Sequence, residues 1–192
     1  MDAKVKRPLN EMSATEIAGK IAAGEATSES VVRDCIARIG ARDGVVKAWV
    51  NFDPDLALAQ ARALDRGAKR GPLHGVPIGI KDIIDTFDMP TEMGSLIYRG
   101  HRPPADAACV ALLRRAGAVI LGKTTTPEFG CKGETNSPLT GITRNPWNTD
   151  QTPGGSSGGT AAAVAAGLGP IGIRMFGIGP PCPTTLPTTR SG

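Results

Sequence analysis

Thr152-Pro153-Gly154-Gly155-Ser156-Ser157-Gly158-Gly159-Thr160 runs directly into an Ala-rich stretch, Ala161 to Ala166. Six of the nine residues in the run are Gly or Ser. That density lets backbone N–H groups and small hydroxyls approach a ligand closely. The Ala-rich stretch predicts a compact helix over 158–167 that opens on this loop. A flexible linker is the plain alternative for so many glycines. The helix argues against it, because a helix N-terminus behind a glycine loop is an anion-stabilising arrangement.

Other readings of the loop fail on the rest of the chain. Gly154-x-Ser156-x-Gly158 fits the nucleophile elbow of Ser-His-Asp hydrolases, which need an acid and then a histidine after the serine. The histidines here, His74 and His101, both precede it. A phosphate-binding loop would need a lysine after Gly159, where Thr160 stands. Gly167-x-Gly169-x-x-Gly172 spells a dinucleotide fingerprint, but it follows a predicted helix instead of opening one and contains Pro170. We read it as a chance match.

Upstream, Gly75-Val76-Pro77-Ile78-Gly79-Ile80-Lys81-Asp82 reads as a strand ending in a lysine. Most lysines are exposed. Lys81, however, follows five uncharged residues with no side chain larger than Ile. Poor hydration there would lower its pKa and fit it to accept a proton. The adjacent Asp82 is expected to be a solvated or capping carboxylate without a catalytic part.

Around these two segments the elements alternate. Ser13-x-x-Glu16 is a capping box for a helix carrying Ile17 and Ile21. A second helix starts near Thr27, with Val31, Val32, Cys35, Ile36 and Ile39 at helical spacing. A third runs from Pro54 to Gly67. Residues 105–117 predict a helix stopped by Gly117, and 118–121 a short buried strand, half of an α/β unit. The chain therefore divides into a helical section over 1–70, an α/β core over 71–173 and an irregular tail over 174–192. The tail holds Pro180, Pro181, Pro183 and Pro187 and no element-forming period.

Composition narrows the classes. The 192 residues are 40% hydrophobic, enough for one domain with a core. The net charge of +4 is scattered and aromatics are 4%, which argues against a nucleic-acid surface. The four cysteines form no C-x-x-C pair or secreted-type framework, so a reducing, cytoplasmic location is expected. No signal peptide or membrane span is visible.

Taken together, Leu73 to Asp82, the Asp106 to Lys123-Thr124 segment, Thr143-Arg144-Asn145-Pro146-Trp147-Asn148 and the Pro153 to Gly159 loop resemble the amidase signature family in order and spacing. The resemblance implies an α/β fold, a mixed sheet flanked by helices, of which this chain is the N-terminal part. It implies hydrolysis of a carboxamide through a serine acyl-enzyme by a Ser-Ser-Lys triad, with no metal or organic cofactor. Lys81 is then the base. Ser156 is the bridging serine, held by a cis peptide bond. Gly154, Gly155 and Ser157 support the loop, and Gly130, Cys131 and Glu134 lie in the substrate-lining segment 130–137. The implied partner is a small amide. Nucleic acid enters only indirectly, if the chain is the A subunit of a tRNA-dependent amidotransferase, the alternative within the family. A homodimer is compatible with the family, and no membrane partner is implied.

The family's nucleophilic serine falls about two dozen residues after the bridging one. Here that register lands on Phe176-Gly177-Ile178-Gly179-Pro180. Pro180 has no hydroxyl and no N–H, so the 192-residue chain is expected to be inactive. A reading-frame change near Arg174 would account for this, since codons for Gly177 to Pro181 can read Gly-Ser-Val-Arg in the next frame; a genuine truncated relative or a pseudogene product is the alternative. A non-catalytic truncated fragment is the reading from a different class.

Overall fold

The computed structural model describes residues 7–174. The expected irregular tail, apart from Arg174, and the Pro180 register lie outside the described residues. After a 3-10 turn at Leu9–Glu11, the elements run α1 (Ala14–Ala22), α2 (Ser28–Val46), β1 (Trp49–Phe52), α3 (Pro54–Arg66), β2 (Pro77–Lys81), α4 (Ala108–Arg115), β3 (Val119–Thr124), β4 (Asn136–Ser137), β5 (Gly141–Ile142), α5 (Gly158–Ala165) and β6 (Ile171–Ile173).

Local chemistry starts α1, α2 and α3 where the sequence indicates, whereas α4 begins at Ala108 and not at residue 105. Ser13 and Glu16 close a capping box on α1, and Thr27 with Ser30 closes another on α2. Asp53 caps α3, and Pro54 takes its first turn, where its missing N–H costs nothing. Asp65 near the end of α3 accepts from the Ser28 and Glu29 N–H groups, so one helix caps the start of another.

The main sheet has the order β1-β3-β2-β6. β2 pairs parallel with both β3 and β6, whereas β1 runs antiparallel to β3. The sheet is therefore mixed. Val119 and Leu121 of β3 pack with Val32, Cys35 and Ile39 of α2, Ala57 and Leu64 of α3, and Ala162 and Ala163 of α5. Ile78 and Ile80 of β2 join Ile120, Val110 of α4, Ile84 and Met89. This is the two-faced alternation of a sheet covered on both sides.

Two of the departures from the sequence reading concern β1 and β3. The section over 1–70 contributes a strand, β1, to the main sheet. Its four residues, Trp-Val-Asn-Phe, are too short for a periodic signal. β3 also continues past residue 121 to Thr124. A register shift after Ile78 pairs Gly79 with Gly122 and Ile80 with Lys123. Such an irregularity re-aims the side chains beyond it. Lys123 consequently joins the face carrying Ile80 and Ile84, instead of the face carrying Leu121.

Among the described residues, no helix is long and apolar enough to cross a membrane.

Candidate active site

Lys81 is the last residue of β2, and its side chain is fully buried. Its neighbour in register is Thr124, whose hydroxyl hydrogen-bonds with that of Thr160 on α5 at 2.7 Å. Lys81 thus faces the N-terminal end of α5. There its Nζ donates to Ser156 Oγ at 2.5 Å, a contact closed across 75 residues of chain. Burial pushes the Lys81 amine down to about 8, from an ordinary value of 10.5. A substantial share is therefore neutral near physiological pH, and a neutral amine can take a proton.

Ser156 is held from its backbone. The Gly155–Ser156 peptide bond is cis. The Ser156 carbonyl accepts from Thr126 Oγ1 at 3.1 Å. One residue pair earlier, Thr135 Oγ1 donates to the Gly154 carbonyl at 2.8 Å and accepts from the Gly158 N–H at 3.0 Å. One buried hydroxyl therefore ties both ends of the Gly-Ser loop to the segment before β4.

The glycines of this loop answer to close approach. A Cβ on Gly155 would sit 2.7 Å from the Lys132 carbonyl oxygen and from the Glu134 nitrogen, both backbone atoms. A Cβ on Gly159 would strike the backbone of Thr125. The far end of α5 is fixed as well: Arg38 Nε donates to the Ala166 carbonyl and Asn10 Nδ2 to the Gly167 carbonyl. These donors satisfy carbonyls that a helix end leaves open.

Gly130, Cys131 and Glu134 sit differently. Gly130 borders the pair: a Cβ there would lie 3.7 Å from Ser156 Oγ and 3.8 Å from Lys81 Nζ. Its φ of +68° suits glycine. Cys131 is exposed, and its Sγ–H donates to the Glu128 carbonyl at 3.0 Å. Glu134 accepts from Asn136 Nδ2, and its backbone abuts Gly155. Ser157 is buried at the start of α5, where its carbonyl accepts from the Ala161 N–H.

Asp82 corrects the sequence reading. It is 1% exposed and lies on the sheet face opposite Lys81, under the loop that follows β2. The reason is alternation: a residue next to one facing α5 must face the other way. Burial pushes its carboxyl up to about 6, opposed by the nearby Lys123 ammonium. Lys123 is also fully buried, a fact the sequence reading missed. Its Nζ donates to Thr91 Oγ1 at 2.6 Å and the Ile84 carbonyl at 2.8 Å, and stands 3.6 Å from Asp82 Oδ1. Five uncharged residues before Lys81 gave a signal of desolvation. The charged-residue-poor run Ala116 to Gly122 before Lys123 carried the same signal.

Among the described residues, no group of three or more His, Cys, Asp or Glu side chains could hold a metal ion.

The chain is similar to known proteins over most of its length. The family model described as Amidase matches residues 30–174. The A subunit of the glutamyl-tRNA(Gln) amidotransferase of Acidothermus cellulolyticus is 48% identical over 165 residues, which are 84% of this chain and 33% of that protein. A protein of the same description from Chloroflexus aggregans is 47% identical over 154 residues, 78% of this chain and 32% of its own length. Among solved structures, the peptide amidase of Stenotrophomonas maltophilia superposes with a TM-score of 0.79 at 40% identity, covering 84% of this chain and 35% of that one. The chain spans about a third of the length of the curated relatives it matches.

Proposed function

We propose an amide-hydrolysing chemistry for this chain, which belongs to the amidase family, with Lys81 as general base and Ser156 as the serine that bridges it to a nucleophile. The observation that carries the reading is the buried 2.5 Å contact between Lys81 Nζ and Ser156 Oγ. A hydroxyl this close to a partly neutral amine can hand over one proton while taking another. In the proposed sequence, a second serine hydroxyl passes its proton to Ser156 Oγ, and Ser156 passes its own to Lys81. The freed alkoxide attacks the amide carbonyl carbon. Collapse of the tetrahedral intermediate breaks the C–N bond, and the proton returns through Ser156 to the departing nitrogen. Water then releases the acid from the acyl-enzyme. The substrate on this reading is a small carboxamide.

The attacking serine is expected at the Pro180 register, outside the described residues. Pro180 cannot serve, so the purified 192-residue chain should not turn over benzamide. Benzamide hydrolysis that disappears in Lys81→Ala and Ser156→Ala would overturn the expectation of inactivity and support the pair. Sequencing the gene from the Gly167 codon onward tests the frame. If a shifted frame restores Gly-Ser-x-Arg and a continuation, that protein should hydrolyse benzamide. Each single variant should then lower kcat by about 10²- to 10⁴-fold, the scale of a lost general acid–base group. Near-parental rates in either variant would sink the assignment.

One observation favours a second reading. The curated relatives quoted above are amidotransferase A subunits. On that reading the ammonia released from an amide is passed to a charged tRNA. Glutamine, preferred over benzamide as the ammonia source, would distinguish it.

A further inference from the structure

We propose that Thr91, Lys123 and Asp82 form a buried clamp behind the sheet that positions the Lys81 amine against Ser156. Its catalytic consequence rests on the role proposed above for Lys81. The clamp grips the backbone on which Lys81 sits. The Lys81 carbonyl accepts from the N–H groups of Ile83 at 2.9 Å and Ile84 at 3.0 Å, so the chain turns immediately after the lysine. The Ile84 carbonyl at the end of that turn is held by Lys123 Nζ, which also donates to Thr91 Oγ1. Asp82, one residue past Lys81, donates its N–H to the Thr124 carbonyl, and its carboxylate receives the Glu92 N–H at 3.2 Å.

The same clamp reaches the other side of the amine. The Asp82 carbonyl accepts from the Met93 N–H, and the Met93 carbonyl accepts from the Phe129 N–H. Phe129 precedes Gly130, the residue that borders Lys81 Nζ and Ser156 Oγ. Thr91, Lys123 and Asp82 are each no more than 1% exposed. Stability alone does not account for them, because a buried ion pair is commonly no more stabilising than apolar residues of similar size. A pair that fixes one backbone geometry accounts for its position directly behind the proposed base.

The test follows the Lys81 ammonium by the ¹³Cε resonance of labelled lysine, assigned by its loss in Lys81→Met. It is made on the 192-residue chain and needs no turnover. Failure of the clamp and failure of the amidase reading are therefore separate results. The charges facing the clamp are Asp85 and Asp88 on the loop, besides Glu92 beside Asp82. Thr91→Val leaves all of them in place and removes only the hydroxyl. Its Lys81 midpoint should rise by about half a pH unit toward the ordinary lysine value, a roughly threefold loss of neutral amine. Asp82→Asn combined with Lys123→Met removes both charges together. It should raise the midpoint by about one pH unit, roughly tenfold. A purely structural pair would lower the denaturation midpoint and leave the Lys81 titration where it was. A folded Thr91→Val chain whose Lys81 midpoint stays or falls overturns the proposal, whether or not the double variant folds.

Discussion

Replacing Lys81 by Met should stabilise this fold at neutral pH, and the gain should shrink as the solution becomes alkaline. Lys81 is fully buried, and its amine is pushed from 10.5 to about 8 by burial alone. In the unfolded chain the same amine is hydrated and titrates near its ordinary value. The folded state therefore carries a burden for the charged form of about 3 kcal/mol at pH 7, since each tenfold change in proton affinity is worth about 1.4 kcal/mol. Between pH 8 and 10.5 the unfolded chain binds more protons than the folded chain, so the parent gains stability as pH rises through that window. By about pH 10 the burden falls below about 1 kcal/mol. Met fills a similar volume without a charge, but it gives up the hydrogen bond to Ser156 Oγ, worth about 1 kcal/mol. The variant should then be more stable than the parent by about 2 kcal/mol at pH 7 and no more stable at about pH 10. Urea denaturation at the two pH values measures both differences. A gap that does not narrow between them would refute the claim that the folded state holds Lys81 out of water. A residue whose removal stabilises the fold is kept for another reason, and sites of function commonly trade stability in this way.

Two further outcomes follow from the same contacts. Thr135→Val removes the hydroxyl that donates to the Gly154 carbonyl and accepts from the Gly158 N–H. It leaves two buried backbone groups unpartnered and should cost about 2–3 kcal/mol in urea denaturation; a loss under about half a kcal/mol would show that the loop does not depend on Thr135. The Asp82 carboxyl is pushed up to about 6 from 3.8, so the folded chain holds a proton that the unfolded chain releases. The stability contributed by protonated Asp82 is complete below about pH 4 and is lost as pH rises through about 6. Denaturation of the parent against Asp82→Asn across that window should therefore move against the parent, and parallel profiles would contradict the burial of the carboxyl.

Much of this fold could be read from local signals. Ser13, Thr27 and Pro54 mark helix starts, and Gly67 ends α3, because capping is settled within four residues of the terminus. β1 could not be read this way. Trp49 to Phe52 become a strand only because β3 offers an antiparallel partner about 70 residues later, and a four-residue segment carries no period of its own. β6 is similar: Ile171 to Ile173 sit among glycines and a proline and are ordered by pairing with β2. Lys81 stood out by the apolar run before it, and Ser156 by its glycines. Their meeting rests on α5 being fixed at both ends, through Thr135 at one and Arg38 with Asn10 at the other. None of those three residues has a sequence signature of that task.

Parity explains why the two buried lysines of the sheet lie on opposite faces. Along β2, alternation sends Ile78, Ile80 and Asp82 to one face and Lys81 to the other. Along β3, simple alternation from Leu121 would place Lys123 on the α5 side, among the residues facing Lys81. The register shift after Ile78 reverses this and brings Lys123 beside Asp82. Two buried ammonium groups on one face would each raise the cost of charging the other. Separated by the sheet, they meet different partners. Burial lowers the Lys123 amine from its ordinary value as well, opposed by the Asp82 carboxylate, and the amine has two further oxygens as acceptors. These oxygens anchor the Lys123 amine behind the sheet. Burial alone acts on Lys81, and its acceptor is a hydroxyl that can itself give up a proton. The register shift thus gives Lys123 three oxygen partners behind the sheet and leaves Lys81 beside Ser156, the setting on which its proposed role as a base rests.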